Sequence, residues 1–207
     1  MSKRFLTDEA KEALTGAIRS IEARSCAEVV IAVRARSGSY LHADLISGIL
    51  AGLATLAYLL WGPQAFSLYS IFIEPIVVGG LFGLLTSRLP YTRRWFTPTK
   101  YREAWVDRAA KAAFFEKGVR ATTERIGLLV FVSLLERHSA VICDSGVKNA
   151  VEPLTWAKAV AAIDDAVAHG QDGVQVAKAI DALGDLLAPC LPVTDDDVNE
   201  LADEVCG

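Results

Sequence analysis

Residues 125–147, RIGLLVFVSLLERHSAVICDSGV, contain the pattern that decides the fold of this chain. Residues 128–135 are almost continuously apolar, which is typical of a strand buried on both faces in the centre of a sheet. The charged residues 136–138 predict a turn, and residues 139–143 predict a second strand. Because so short a connection cannot cross over, the two strands are expected to be antiparallel.

The segments on either side predict a small mixed sheet sandwiched by helices. Residues 28–33, EVVIAV, are short and rich in β-branched residues, which indicates another buried strand. Apolar residues spaced three or four apart predict four amphipathic helices. Their stripes are Ala10, Ala13, Leu14, Ala17, Ile18 and Ile21; Trp105, Ala109, Ala112 and Phe115; Trp156, Val160, Ile163 and Val167; and Val176, Ile180, Leu183 and Leu187. This order of helices and strands belongs to the α/β class.

A long apolar segment interrupts this domain after its first strand. Residues 45–61 and 66–85 each approach the roughly 20 apolar residues that a membrane-spanning helix needs. Gly62, Pro63 and Gln64 between them predict a turn. A buried helical pair in a soluble protein is the alternative, but the 43 residues 45–87 carry a single formal charge. We therefore expect a transmembrane helical hairpin over residues 41–96, between domain halves 1–40 and 97–207.

The basic residues predict how the hairpin is oriented. Arg34 and Arg36 precede the first span, five more follow the second, and the turn between the spans carries no charge; those five are Arg88, Arg93, Arg94, Lys100 and Arg102. Because positive residues stay on the cytoplasmic side, both termini are expected to be cytoplasmic in an integral protein of the cytoplasmic (inner) membrane. The N-terminal residues lack the apolar core of a signal peptide.

Charge is divided unevenly along the chain. Residues 88–138 contain 11 Lys and Arg against 5 Asp and Glu, whereas residues 139–207 contain 3 against 13. A basic segment beside a membrane suits anionic lipid headgroups, with Arg88, Arg93 and Arg94 as the expected contacts. The lipid bilayer explains this segment more simply than nucleic acid does, so no nucleic-acid partner is expected. The four cysteines form no CxxC pair, which fits free thiols in a reducing compartment.

Glu74 is the one charge inside the predicted spans, and Pro75 follows it. A carboxylate in mid-bilayer costs about 3 kcal/mol on insertion scales, so its presence needs a reason. It could serve an ion or proton path, or it could make a polar contact between subunits of a homo-oligomer. The simpler interpretation is a protonated side chain bonded to a neighbouring helix.

Acidic residues at predicted strand and helix ends are candidate ligands for Ca²⁺ or Mg²⁺. Asp144 follows the last strand, where ligands commonly bind in α/β sheets. Glu28 begins the first strand, and Asp195 and Asp196 lie in an acidic run near the C-terminus. Each has a structural alternative. Asp144 could cap a helix or turn, Glu28 could pair with an arginine, and the acidic run could cap a last helix.

Thr123 and Arg125, which precede the central strand, are candidates for binding phosphate because hydroxyl and guanidinium groups suit it. They could equally cap the preceding helix and pair locally. No GxSxG, P-loop or GxGxxG motif occurs, and no Cys–His context accompanies the three histidines. The catalytic residues of any enzyme activity are therefore unknown.

Three segments in order resemble the TPM-domain family. They are EVVIAVRARSGSY, then TTERIGLLVFVSLLERHSAVICDSGV with a Trp-bearing helix behind it, and finally DDDVNELADEV. The resemblance implies an α/β/α sandwich with a mixed sheet. It also implies divalent-cation binding through acids in some relatives, and acid phosphatase activity as described for a plant relative involved in photosystem repair. In those relatives an exported domain is anchored by a terminal span, whereas here the apolar segment is internal.

Two functional hypotheses follow. The first is a membrane-anchored binding or scaffold module that recognises another membrane or cytoplasmic protein, tuned by a divalent cation. The second is a metal-dependent phosphatase at the membrane surface that uses Asp144 and the C-terminal acids. The absence of a catalytic constellation favours the first.

Overall fold

The computed structural model describes residues 5–169, 172–193, 200–201 and 205 of the 207-residue chain. The chain divides into two compact units. Residues 1–37 and 103–207 form the first, called the sheet unit here, and residues 38–102 form the second, called the hairpin unit.

The sheet unit contains a three-stranded mixed sheet, as predicted. Its strands are β1 Glu28–Arg34, β2 Gly127–Ser133 and β3 His138–Cys143. The order is β1-β2-β3, with β2 parallel to β1 and antiparallel to β3. All seven residues of β2 are buried because strands flank it on both sides and helices cover both faces.

The central strand is shorter than the apolar run predicts. It ends at Ser133 rather than at residue 135. The backbone N–H groups of Leu134 and Leu135 instead donate to the carbonyl oxygens of Arg34 and Ala35, at 3.0 and 3.1 Å. Both leucines are buried, so their apolar character reflects burial in the turn and not extension of the strand.

Eight α-helices occur in the described part of the chain. They are α1 Asp8–Glu22, α2 Leu41–Trp61, α3 Leu68–Ser87, α4 Pro90–Trp95, α5 Thr99–Glu116, α6 Ser145–Ala150, α7 Pro153–His169 and α8 Gly173–Leu187. The two long apolar helices expected from the sequence are thus present as α2 and α3. The acidic run at 195–197 lies outside the described residues. Of the last helix expected behind it, over residues 198–205, the structure describes residues 200, 201 and 205, and these are not helical.

Helices cover the two faces of the sheet unequally. On one face α1, α7 and α8 pack against Val29, Ile31 and the inward residues of β2. On the other face α5 packs against Val30, Ala32 and Phe131. The predicted stripe of α8 is confirmed in full, and that of α1 is confirmed except at the half-buried Ala13.

The predicted stripe of α5 is wrong. Its buried residues are Val106, Ala110, Ala113 and Phe114, whereas Phe115 is 63% exposed. Two adjacent stripes of apolar residues run along this helix, so spacing alone does not select between them. In α7 only the second half of the stripe is buried, at Ile163 and Val167, while Trp156 and Val160 stay half-exposed.

In the hairpin unit, α2 and α3 approach each other at glycines. A Cβ atom added at Gly48 would lie 2.7 Å from the carbonyl oxygen of Gly79, and one added at Gly52 would lie 2.9 Å from that of Pro75. A Cβ at Gly83 would lie 3.1 Å from the carbonyl oxygen of Asp44. Each helix thus carries a GxxxG pair on the contacting face, which permits close backbone packing of the kind common in membranes.

Polar contacts reinforce the hairpin unit at one end. The hydroxyls of Ser47 and Thr86 are buried and lie 2.7 Å apart across the two helices. Arg93 on α4 donates to both carboxylate oxygens of Asp44, with Nε–Oδ1 at 3.0 Å and Nη2–Oδ2 at 2.7 Å. This bidentate geometry is the strongest form of the arginine–carboxylate pair.

Candidate functional site

The predicted site residues Glu28 and Asp144 lie at the same end of the sheet, on either side of the first residue of β2. Glu28 is the register partner of Gly127. The backbone N–H of Asp144 donates to the carbonyl oxygen of Gly127 at 2.9 Å. The two acidic residues are therefore separated by two strand spacings, about 10 Å along the hydrogen-bonding direction.

Asp144 is the N-cap of α6. Its Oδ1 accepts the backbone N–H of Ser145 at 2.7 Å. This oxygen therefore caps the helix, which is the structural alternative to a ligand role. Gly146 follows in the helix, and a Cβ there would lie 2.7 Å from the carbonyl oxygen of Arg125. The second carboxylate oxygen, Oδ2, is buried and has no hydrogen-bond partner within the described ranges. The prediction that a cation binds at Asp144 now rests on this buried oxygen.

Glu28 holds the C-terminal segment. The residue is 5% exposed, and its two carboxylate oxygens accept the backbone N–H groups of Glu200 and Leu201 at 3.2 and 3.1 Å. A carboxylate that accepts backbone donors is largely satisfied without a metal ion. These two hydrogen bonds therefore explain why the acidic side chain of Glu28 is buried.

Thr123 contacts the same segment. Its N–H and hydroxyl donate to the two carboxylate oxygens of Glu200, at 2.9 and 2.5 Å. Arg125 adopts a left-handed backbone conformation with φ 56°, and its carbonyl oxygen accepts the N–H of Gly146. The hydroxyl proposed for phosphate is thus bonded to a carboxylate, while the backbone of Arg125 joins the start of β2 to the start of α6.

Among residues 5–169, 172–193, 200–201 and 205, no group of three or more His, Cys, Asp or Glu side chains has the arrangement of a metal site. Asp195 and Asp196 lie outside these ranges, so their proposed role as ligands stays a prediction. The described cysteines, Cys26, Cys143 and Cys190, form no disulfide with one another.

A second cluster, which the sequence did not indicate, lies at the opposite end of β3. Nδ1 of His138 is 2.8 Å from Oδ1 of Asp164 on α7. The same oxygen accepts the backbone N–H of Ser139 at 2.7 Å and its hydroxyl at 3.2 Å. The carboxylate of Asp164 thus connects the start of β3 to α7, 25 residues further along the chain.

This cluster shifts the pKa of both titratable partners. The hydrogen bond to Asp164 raises the pKa of His138, against the opposing effect of burial, and Asp164, Glu103 and Asp107 add favourable charge. Burial opposes ionisation of Asp164, but hydrogen bonds from His138 and Ser139 outweigh it and lower the pKa of this carboxyl. The charged pair is therefore favoured between these two pKa values.

The cluster forms one end of a cleft of about 520 Å³ along the outer edge of β3. The cleft is bounded by β3 itself, by α5 and by α7. Its lining includes Trp156, Val160, Asp107 and Lys111. Sequence reasoning assigned His138 to a turn and Trp156 to the core. The apolar stripe of α7 is only partly buried, and the sequence does not show this, because the extent of its burial depends on how many strands lie beneath the helix.

The surface of the hairpin unit is largely apolar. In the most apolar window of α3 none of the residues is buried, and in that of α2 22% are. Both helices are long and apolar enough to cross a membrane. Exposed aromatic residues occur at both ends, Trp61 and Tyr69 near the turn and Tyr91 and Trp95 on α4.

The charged candidates of this unit differ in their surroundings. Glu74 is exposed on α3 among apolar side chains that are also exposed, such as Ile73 and Val77. Arg88 is exposed beyond the end of the same helix, and Arg94 is half-buried. Arg93 differs because its guanidinium is bound by Asp44 and its side chain is only 17% exposed.

Comparison with known proteins identifies the fold alone. No family model and no curated protein matches the chain. Among solved structures it is similar to the NMR structure of the BA42 protein from the psychrophilic bacterium Bizionia argentinensis, with a TM-score of 0.59 and 17% sequence identity. The match covers 98% of this chain and 94% of that one.

Proposed function

We propose that this chain is an integral membrane protein anchored by α2 and α3, with both termini in the cytoplasm. The carrying observation is that two neighbouring helices expose nearly all their apolar side chains. A helix of 21 residues is about 31 Å long, which matches the hydrocarbon core of a bilayer. The aromatic residues at both ends of the helices suit the two membrane interfaces.

Cysteine labelling of intact cells tests this topology. A thiol introduced by Gln64→Cys, in the exposed turn between the spans, should react with an impermeant maleimide from outside. The native Cys190, which is exposed in the sheet unit, is a built-in control and should react only after lysis. Labelling of Cys190 but not of residue 64 in intact cells would invert the proposed orientation.

The sheet unit is proposed to be a TPM-like module that binds another membrane or cytoplasmic protein at the cytoplasmic face. The open cleft beside β3 supports this role, because its wall leaves a tryptophan half-exposed. Glu28 and Thr123, proposed for chemistry, instead hold the chain's own C-terminal segment. The order of the sequence motifs supports the TPM-like assignment.

Photo-crosslinking in native membranes tests the binding role. A photoreactive amino acid replacing Trp156 in the cleft should crosslink one defined partner protein. The same amino acid replacing Lys178, an exposed position on α8 beside α1 that does not line the cleft, serves as the matched control. Equal or absent crosslinking from the two positions would remove the support for a binding module.

A divalent cation at Asp144 is the second candidate, supported by the buried oxygen Oδ2 without a described partner. Calorimetric titration with Ca²⁺ and Mg²⁺ should give saturable binding that Asp144→Asn abolishes. Asn also caps helices well, so this variant separates loss of a ligand from loss of the fold. Hydrolysis of a phosphomonoester that depends on the cation and on Asp144 would support the phosphatase hypothesis.

We also propose that the chain forms a homo-oligomer through the hairpin unit, and the position of Glu74 supports this proposal. It lies about 9 Å along α3 from the first residue of the helix, on an outward apolar face. A carboxyl group facing lipid is costly, and a hydrogen-bonding partner in a second copy would lower that cost. Native mass spectrometry from lipid nanodiscs should show oligomers of the natural chain and monomers of Glu74→Leu.

A further inference from the structure

We propose that the free edge of β3 binds an extended segment of a partner protein, which adds to the sheet as a fourth strand between α5 and α7. This inference rests on the proposed role of the sheet unit as a protein-binding module, and it names the surface and the class of partner. Strand addition to a sheet edge is a general mode of peptide recognition.

The hydrogen-bond register shows which backbone groups of β3 are available. In an antiparallel ladder, bonded and non-bonded pairs alternate. The pair of Asp144 with Gly127 is bonded, and the register then turns the N–H and C=O groups of Ile142 and Ala140 toward β2. The groups of Val141 and Cys143 face away from β2, and no other described residue bonds them.

Asp164 sets one limit of the open edge. The N–H of Ser139 also faces away from β2, but it already donates to the carboxylate of Asp164 at 2.7 Å. His138 holds that carboxylate in place at 2.8 Å. An incoming strand can therefore pair with residues 140–143 and is stopped by the His138–Asp164 pair. This stop fixes where the bound segment must leave the sheet.

The helix α7 provides one wall. Its apolar stripe is regular in sequence, yet Ile163 and Val167 are buried while Trp156 and Val160 remain half-exposed. Ile163 and Val167 belong to the buried core, and Trp156 packs against that core with part of its surface left exposed. Trp156 and Val160 both line the cleft beside the edge of β3, where a further strand would run. Apolar side chains of a bound segment would complete the burial of this stripe.

The helix α5 provides the other wall, and its chemistry differs. Asp107 and Lys111 line the cleft there, both on exposed positions. Side chains alternate between the two faces of a strand. A bound segment should therefore alternate between apolar residues directed to Trp156 and polar residues directed to Asp107 and Lys111.

A separate segment fits this site better than a second copy of the sheet unit. The cleft lies between two helices that flank the strand edge. Pairing with β3 of another copy would bring that copy's own α5 and α7 against the same walls. A single extended chain carries no such helices, so it can enter where a complete sheet cannot.

The test uses the full chain in lipid nanodiscs and a phage-displayed library of random heptapeptides as the probe. Selected peptides should alternate apolar and polar residues. In the free protein, amide hydrogen exchange should be fast at Val141 and Cys143 and slow at Ala140 and Ile142. A bound peptide should slow exchange at the first pair by at least about tenfold, because both amides become hydrogen-bonded.

Val141→Pro removes an outward N–H without removing a bond to β2, and proline is tolerated on edge strands in such positions. It should weaken peptide binding by at least about tenfold. Val141→Ala is the matched control, because it loses side-chain packing and keeps the N–H. An intact amide-exchange pattern in β2 shows that the proline variant has folded.

The outcomes separate this inference from the binding role on which it rests. Selected peptides that bind both variants equally, or that leave exchange at Val141 and Cys143 unchanged, overturn the strand-addition site. Crosslinking of a partner from position 156 would then still support the module. Failure of the crosslinking and of the selection together would overturn both.

Discussion

The strand β2 and the helix α3 have similarly apolar sequences and opposite surroundings. All seven residues of β2 are buried inside the sheet unit. Of the twenty residues of α3, only Thr86 is buried. The comparison teaches that an apolar composition does not by itself show whether other parts of the protein cover a segment. A strand must find protein partners for its backbone, whereas a helix satisfies its own and can face lipid.

The two units also hold together by different contacts. The sheet unit interlocks large side chains such as Phe131, Leu14 and Ile180, all fully buried. The hairpin unit brings backbones together at glycines and adds one buried hydroxyl pair. Burial of large apolar side chains provides the driving force in water, while close packing provides it where the surroundings are apolar as well.

The largest effect is expected from truncating matched phenylalanines in the two regions. Phe131→Ala should lower the free energy of unfolding of the sheet unit by about 3–5 kcal/mol, because it leaves a cavity in a filled core. Phe72→Ala, at a position 71% exposed on α3, should change stability by about 0.5 kcal/mol or less in detergent. Urea unfolding measures both. Similar losses would mean that α3 has a protein partner that replaces lipid.

Adjacent glycines of α3 provide the next comparison. A Cβ at Gly79 would lie 2.8 Å from the carbonyl oxygen of Gly48, whereas a Cβ at Gly80 would meet no atom within 4 Å. Gly79→Ala should therefore destabilise the hairpin unit by roughly 1–3 kcal/mol. Gly80→Ala should leave its stability unchanged or raise it slightly, since alanine favours helices. Thermal unfolding in detergent distinguishes them, and equal melting temperatures would argue against the close helix contact.

A smaller effect is expected from the buried hydroxyl pair. Ser47→Ala removes the hydrogen bond to Thr86 and should cost about 0.6 kcal/mol, with an upper bound near 1.7 kcal/mol. The control is Thr55→Ala, because the hydroxyl of Thr55 donates to the carbonyl oxygen of Ala51 in its own helix and not across to α3. A loss at Thr55 as large as that at Ser47 would show that the pair contributes nothing across the helices.

The smallest effect is a pH dependence confined to the sheet unit. The raised pKa of His138 gives stability that is fully present below its unfolded pKa, about 6.5, and is lost as pH rises through the folded pKa. The lowered pKa of Asp164 gives stability above its unfolded pKa, near 3.9, that is lost as pH falls through the folded pKa. The pair therefore contributes most between about pH 4 and about pH 6.5.

Urea unfolding of the natural chain and of His138→Gln, compared across this range, measures that contribution. The difference in unfolding free energy between the two should shrink as pH rises from about 6.5 through the folded pKa of His138. The partial exposure of both side chains keeps the effect modest. A difference that stays constant from about pH 5 to about pH 9 would contradict the linkage.

Much of the fold follows from local patterns. The antiparallel pair of β2 and β3, the two long apolar helices and the stripes of α1 and α8 follow from local sequence patterns, because each pattern had one consistent interpretation. The stripe of α5 did not, since Val106 and Ala110 compete with Trp105 and Ala109 for the same face of the sheet. Only the packing of α5 on Phe131 decides between them.

The residues of the candidate site also differ in whether the sequence could predict their positions. Asp144 at the end of β3 could be located from sequence, because an acid before Ser-Gly at a strand end has a recognisable position. The ion pair of His138 with Asp164 could not, since it joins a turn to a helix with no common motif. Likewise the hydrogen bonds that Glu200 donates to Glu28 and accepts from Thr123 depend on where the C-terminal segment returns to the sheet.

The amino-acid sequence by itself determined the elements, their order and the two helices able to cross a membrane, because hydrophobic period and length are local properties of a chain. Only the tertiary structure decided that β3 lies at the edge of the sheet formed by the described strands, that Trp156 remains half-buried, and that Glu28 accepts backbone N–H groups of the C-terminal segment. These features depend on which residues that are distant in the chain come into contact, and a local sequence pattern contains no information about such contacts.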